Sequence, residues 1–214
     1  MAANTVYVME SANLICSNTR GPAAGGGQAQ TAPGISTHLV LQELKLPGFE
    51  ENNVDHAPGG AMVAIEVPTH INKLEATFNL AGWDPGVMSL LAQNNPMHQV
   101  FTAYGLIRDR RTSAALQAIA VIQGRLGRVN PTAFSKGNLM AHEYSIKSIV
   151  HYELWMQLAK GNSEPTEIYY WDFFTSRLRS GRIELTNDLV RLLAIPANPP
   201  PSGGGGGFVE GVPT

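Results

Sequence analysis

Residues 144–158 read YSIKSIVHYELWMQL. Alternate positions carry Tyr144, Ile146, Ser148, Val150, Tyr152, Leu154, Met156 and Leu158. The positions between them carry Ser145, Lys147, Ile149, His151, Glu153, Trp155 and Gln157. A period of two with one apolar and one mixed face is the signature of a β-strand. At ~3.3 Å per residue the run would span roughly 50 Å, well beyond a usual strand of about 5–6 residues. Such a strand bends around a core, projects into a sheet shared with other copies, or breaks into two strands at a bulge. The residues alone leave these three open.

Working outward, the cleanest alternation is KLEATFNL at 73–80, with Leu74, Ala76, Phe78 and Leu80 on one face and Lys73, Glu75, Thr77 and Asn79 on the other. Residues 62–67 do the same more briefly through Val63, Ile65 and Val67. Residues 99–107 and 114–122 are apolar on both faces, as in strands covered on both sides. Further strands are expected at 5–15, 38–46, 168–174 and 182–186. One helix is expected near 85–94: Asp84 caps its free amides, Pro85 fits the first turn, Val87, Leu90 and Leu91 form an apolar stripe, and Asn94-Asn95-Pro96 stops it. A short helix is expected over 187–194, capped by Asn187, with Leu189, Leu192 and Leu193 facing inward. The predicted fold is a β-rich α+β domain.

Composition narrows the function. The chain has 214 residues, 43% of them hydrophobic but only 15% charged. The charged fraction is well below the roughly 25% usual in soluble domains, and a surface so poor in charge implies partners. A net charge of −2 argues against a nucleic-acid-binding domain, which needs clustered Lys and Arg. The single cysteine, Cys16, excludes an internal disulfide framework. No stretch approaches ~18 consecutive apolar residues, so no transmembrane helix and no stable membrane insertion are expected. The first residues lack the basic and apolar blocks of a signal peptide, which reads as a soluble, cytosol-made protein. Residues 21–34 (GPAAGGGQAQTAPG) read as a flexible loop without the Gly-Lys-Ser/Thr of a phosphate loop. Residues 197–214 form a Pro/Gly-rich tail ending in FVEGVPT, where Phe208 and Val209 sit side by side. The expected organisation is one domain over 1–196 and a flexible tail.

Chemistry finds no foothold. His38, His56, His70, His98, His142 and His151 are scattered, without a metal-ligand spacing beside a third ligand. Asp55-His56, near Glu50 and Glu51, is the best candidate for a site, and reads more simply as an acidic loop, 48–60, closed by Pro58-Gly59-Gly60. Cys16 reads as a buried, inert thiol. Arg108, Arg110 and Arg111 read as a solvated hairpin end. No Gly-x-Ser-x-Gly, HExxH or CxxC is present. No catalytic residue, cofactor or metal is assigned.

Within residues 37–85 an LPG is followed by the acidic segment, then VDHAPGG, then KLEATFNLAGWDP leading into VMSLL. In this order and spacing the elements resemble the major tail tube protein family of contractile-tailed bacteriophages. TNDLVRLLAIP at 186–196 looks like that family's closing helix. The Gly/Ala-rich stretch 21–34 and the tail are departures. The resemblance implies two packed antiparallel sheets, partly closed as a barrel, with a helix on the flank. It implies hexameric rings stacked into a hollow tube, which is driven through the host envelope by a sheath and conducts genomic DNA. Its implied partners are further copies of the chain and the tail sheath, tape-measure, baseplate and tail terminator proteins. Its implied place is the virion tail, assembled in the bacterial cytoplasm. The loop bearing Glu50, Glu51, Asp55 and His56 is expected to pack against the neighbouring ring, and the lumen to be neutral to acidic. A phage-tail-like bacteriocin or a type VI secretion tube is the alternative of the same kind. A monomeric β-sandwich binding module is the competing class, with Tyr169, Tyr170, Trp171, Phe173 and Phe174 as its groove, although their tight alternation fits a strand buried on both sides.

Overall fold

The computed structural model describes residues 6–17, 34–57, 59, 63–91, 98–131, 140–157, 165–193 and 195. The stretch 21–33, the tail from 197, Asn94-Asn95-Pro96, Pro58 and Gly60 lie outside the described residues. The chain runs β1 (Tyr7–Ser17), β2 (Ile35–Ser36), β3 (Leu41–Lys45), β4 (Glu51–His56), β5 (Ile65–Ile71), β6 (Ala76–Ala81), α1 (Pro85–Met88), β7 (Gln99–Asp109), β8 (Ala115–Pro131), β9 (Ala141–Met156), β10 (Thr166–Asp172), β11 (Arg177–Ser180), β12 (Ile183–Glu184) and α2 (Asn187–Leu192). Two antiparallel sheets result, as expected. Ten strands form the larger, in the order β12-β11-β10-β9-β8-β7-β1-β2, with β6 also on β9 and β3 on β6; β4 and β5 form the smaller. Neither closes into a barrel among the described residues.

β9 organises the larger sheet, and it does so by bending. One edge pairs with β8 along nearly its whole length. The other is shared: Ala141–Ile146 pair with β6 and His151–Met156 with β10. Between these halves β9 runs from His151 to Lys147 while β8 advances only from Gln123 to Arg125, and Ser148 takes a left-handed φ of 50°. The alternation of 144–158 therefore breaks: Tyr144 and Ile146 are buried, then Ile149, then Tyr152. Of the three readings of this run, the bulge and the bend hold together. Gly124 faces the bend, where a Cβ would stand 2.9 Å from Ile146 Cγ2 and 3.0 Å from the Lys147 carbonyl oxygen, so the close approach needs glycine.

The bend folds both limbs over one core. Leu14 and Cys16 of β1, Phe78 and Leu80 of β6, Phe101 of β7, Ile122 of β8, and Tyr144, Ile146 and Tyr152 of β9 belong to a single cluster. Phe78 and Tyr144 stack with centroids 5.0 Å apart and planes 7° apart, a geometry that adds to their area burial. Asp84 caps α1 as expected, its Oδ1 accepting from Gly86 N at 2.9 Å and Val87 N at 3.2 Å.

Several elements differ from the sequence reading. The helix expected near 85–94 is one turn, because the backbone changes from Ser89 N→Pro85 O to the tighter Leu90 N→Val87 O and Leu91 N→Met88 O bonds. β8 runs to Pro131 rather than ending at 122. β11 was missing from the expectations: RLRS offers one apolar residue to a period count. Strands 99–107 and 114–122 are covered on one face only, leaving Tyr104 and Leu106 exposed. Thr186, not Asn187, precedes α2 and makes no cap bond, since its hydroxyl donates to Glu184 Oε1 and accepts from Leu178 N. The leucines expected to face inward, Leu189, Leu192 and Leu193, are all exposed.

Candidate assembly surfaces

The acidic segment is not a loop. Glu51–His56 forms β4 and pairs with β5 as a two-stranded arm standing apart from the main sheet. Its strands form because Val54, Ile65, Val67, Thr69 and Ile71 suit a pleated backbone. A register shift falls between Asn52 and Asn53, opposite His70 and Pro68, the kind of site that tolerates a proline without an N–H. Thr69 Oγ1 donates to Asn52 O at 2.8 Å there, and Asn72 N donates to Glu50 O at 2.8 Å to close the base. Phe49 anchors that base on the domain, its ring 6.0 Å from Tyr152 and 5.5 Å from Tyr169.

Register sorts the arm into two faces. Val54 lies opposite Val67 and His56 opposite Ile65, so these four share one side. Asp55 lies opposite Glu66 on the other, and like charges directly opposite are unfavourable in an isolated ladder. Glu50, Glu51, Asp55 and His56 are all exposed, as are Val54, Val63, Ile65 and Val67. None of the carboxylates has an ion pair among the described residues. The sequence reading singled out the acids of this segment and, separately, the apolar alternation at 62–67, but did not pair the two into one arm. That alternation is real, though its strand starts at Ile65 and meets no core.

A second unpartnered surface lies at the far end of the main sheet. Phe173 and Phe174 are exposed in the turn after β10, contrary to a strand buried on both sides. Asp172 Oδ1 holds that turn by accepting from Thr175 N at 2.8 Å and Thr175 Oγ1 at 2.9 Å. Ile183 of β12 and Leu185 just after it, at the same end of the sheet, are also exposed. Arg179 lies 3.9 Å from the Tyr170 ring centroid and bonds buried Glu167 at 2.9 Å.

The sheet face away from the core carries one coupled polar cluster. His151 Nδ1 lies 3.2 Å from Asp172 Oδ2, joining β9 to β10, and Nε2 lies 2.9 Å from Glu153 Oε1. Glu153 Oε2 also accepts from Trp155 Nε1 at 2.9 Å. The Glu153 bond, aided by Asp172 and opposed by burial, raises the His151 pKa; the same bond holds Glu153 below the usual carboxylate range.

Burial pushes the Cys16 thiol up to about 12, which keeps it protonated and unreactive. Among the described residues no three His, Cys, Asp or Glu side chains group to hold a metal. In the RDRR turn, Arg108 is tied to Glu10 of β1, while Asp109 accepts from Arg111 N at 2.7 Å and Thr112 Oγ1 at 2.6 Å.

The family model described as phage tail tube protein FII matches residues 33–159. No curated protein matches the chain. Solved structures similar to it include a chain of the PVC sheath-tube complex of an extracellular contractile injection system in its extended state, at 7% identity and a TM-score of 0.43, covering 70% of this chain and 89% of that one. Another is a chain of the anti-feeding prophage (AFP) baseplate, at 10% identity and a TM-score of 0.44, covering 75% and 100%. A third is Hcp1 from Salmonella typhimurium, at 10% identity and a TM-score of 0.43, covering 79% and 100%.

Proposed function

The chain belongs to the phage tail tube protein FII family, and from that premise we propose that it is the repeating subunit of a contractile tail's inner tube. Six copies form a ring, rings stack into a hollow tube, and the tube conducts genomic DNA once the sheath has driven it through the host envelope. Its other partners are the sheath, tape-measure, baseplate and terminator proteins, and assembly takes place in the bacterial cytoplasm before the virion is complete. Residues 1–196 act as one tube domain and 197–214 as its tail. The work is mechanical and needs no catalytic residue.

The observation that carries this reading is the extent of the family match, which runs from just before β2 beyond the end of β9 and includes the bent strand β9 with β6, β7 and β8, and the arm. Physical features of the chain agree with it. The main sheet ends in two-residue strands, β2 and β12, but β2 pairs only with Ile15 and Cys16, so among the described residues Tyr7–Asn13 of β1 has a ladder partner on one side alone. Such an open edge leaves backbone groups for a neighbour in a ring. Contacts between unlike surfaces close into rings when their rotation permits and extend as filaments when it does not. The arm, with Glu50, Glu51, Asp55 and His56, supplies the contact between rings.

Negative-stain electron microscopy of the purified protein at rising concentration tests the reading. Six-fold rings or hollow tubes are expected. A featureless monomer at every concentration would contradict it.

A further inference from the structure

Charge is segregated along this chain in a way that the fold alone does not use. Residues 46–72 contain Glu50, Glu51, Asp55 and Glu66 and not one Lys or Arg. Residues 173–183 contain Arg177, Arg179 and Arg182 and not one Asp or Glu. The first stretch is the arm with its base; the second is the β10–β11 turn, β11 and the β11–β12 turn. Arg179 is engaged by Glu167, whereas Arg177 and Arg182 have no ion pair among the described residues. Arg182 stands exposed at a turn tip with a left-handed φ of 71°.

Apolar exposure follows the same division. The arm shows Val54, Ile65 and Val67 beside its acids, and the corner shows Phe173, Phe174, Ile183 and Leu185 beside its arginines. Each surface is therefore an apolar patch beside charge unpaired among the described residues: acids without a cation on the arm, and Arg177 and Arg182 on the corner, where the β12 carboxylate, Glu184, is half-buried and accepts from Thr186. We propose that the β4–β5 arm of one copy docks onto the β11–β12 corner of a second copy, with Asp55 and Glu66 facing Arg182 and Arg177. This rests on the tube reading and gives the arm its receiving surface. Within the described chain Glu66 accepts only a 3.4 Å bond from Asn53 Nδ2; docking brings cations to the Asp55–Glu66 juxtaposition, and complementary charge fixes the register of the apolar contact. One surface of each copy meets a different surface of the next, the heterologous arrangement that propagates.

A charge exchange, backed by a cross-link, tests the proposal. Asp55→Lys alone and Arg182→Glu alone each raise the concentration needed for assembly about tenfold or more, since every ring repeats the damaged contact. Both sites are exposed, so circular dichroism and the unfolding midpoint stay at the wild-type value. The double variant recovers assembly. Independently, Asp55→Cys with Arg182→Cys yields a ladder of disulfide-linked multimers on oxidation, whereas Asp55→Cys with Arg110→Cys does not; Cys16 is buried and does not compete. If wild-type protein assembles while the single variants assemble equally well, or the double variant fails to recover and no ladder forms, the docking assignment is overturned and the tube reading stands. If wild-type protein neither assembles nor cross-links at any concentration, both fall.

Discussion

Two stretches of this chain carry the same sequence signal and meet opposite fates. In β6, Ala76, Phe78 and Leu80 alternate with polar residues and are 0%, 1% and 0% exposed. In and just before β5, Val63, Ile65 and Val67 alternate as cleanely as their length allows and are 73%, 59% and 40% exposed. Alternation specifies a strand with an apolar side; it does not specify whose side chains will cover it. β6 is covered by its own chain, because the bend in β9 brings β1, β7 and β8 over it. The arm has no such cover among the described residues, and the docking proposed above would supply it from another copy.

The sharpest way to break this comparison is to truncate both. Phe78→Ala removes a fully buried ring stacked on Tyr144 and costs about 3–5 kcal/mol of stability, read as a lower midpoint in chemical denaturation. Val67→Ala leaves that midpoint within about 0.5 kcal/mol, as for an exposed site, yet raises the concentration at which rings form. Equal losses of stability at the two sites would erase the distinction.

How far the sequence reveals this architecture depends on where each strand's partner lies. The expectation at 73–80 succeeds because local alternation coincides with a buried face, the strand expected at 5–15 is found as β1 although only Leu14 of that stretch is buried among the described residues, and Asp84-Pro85 succeeds because a cap is a local device. The break in β9 was only one of three readings of 144–158, since it arises from register against β8 and a left-handed Ser148 rather than from composition. QGRLGRVNP, with two glycines and two arginines, lies beyond the strand expected over 114–122 and is the second half of β8. The candidate site is legible in its acids, but the segment 48–60, closed by Pro58-Gly59-Gly60, reads as a loop, because β4 owes its strand to the ladder with β5 rather than to its own alternation. Leu189 and Leu192 read as core because helical spacing is the same whether the cover comes from within the chain or from outside it.

A second test sharpens the role of the bend that covers β6. Gly124→Ala places a Cβ against the Lys147 carbonyl, which is backbone and cannot swing aside. A loss of about 1–3 kcal/mol is expected, typical of overpacking, by thermal unfolding. Gly59, where a Cβ would meet nothing within 4 Å, is the matched control in the arm and should change stability far less.

The smallest effect concerns the cluster that ties β9 to β10. The folded-state pKa of His151 is raised, so its contribution is fully present below the unfolded value of about 6.5 and is lost as pH rises through the higher folded value. His151→Gln should therefore cost more at pH 5.5 than at pH 8.5, by about 0.5–1 kcal/mol, in denaturation midpoints at the two pH values. The depressed Glu153 pKa acts at lower pH, where stability is lost as that carboxylate protonates. An unchanged difference across this range would show that the bridge contributes nothing specific.

The central claim is that the arm is a strand pair whose missing core belongs to another copy. A cryo-electron microscopy reconstruction of tubes grown from the purified chain tests it most directly. The account predicts β4 and β5 wedged between rings, with Val54, Ile65 and Val67 buried against a neighbouring subunit. An arm projecting free into solvent from an otherwise intact tube would contradict it.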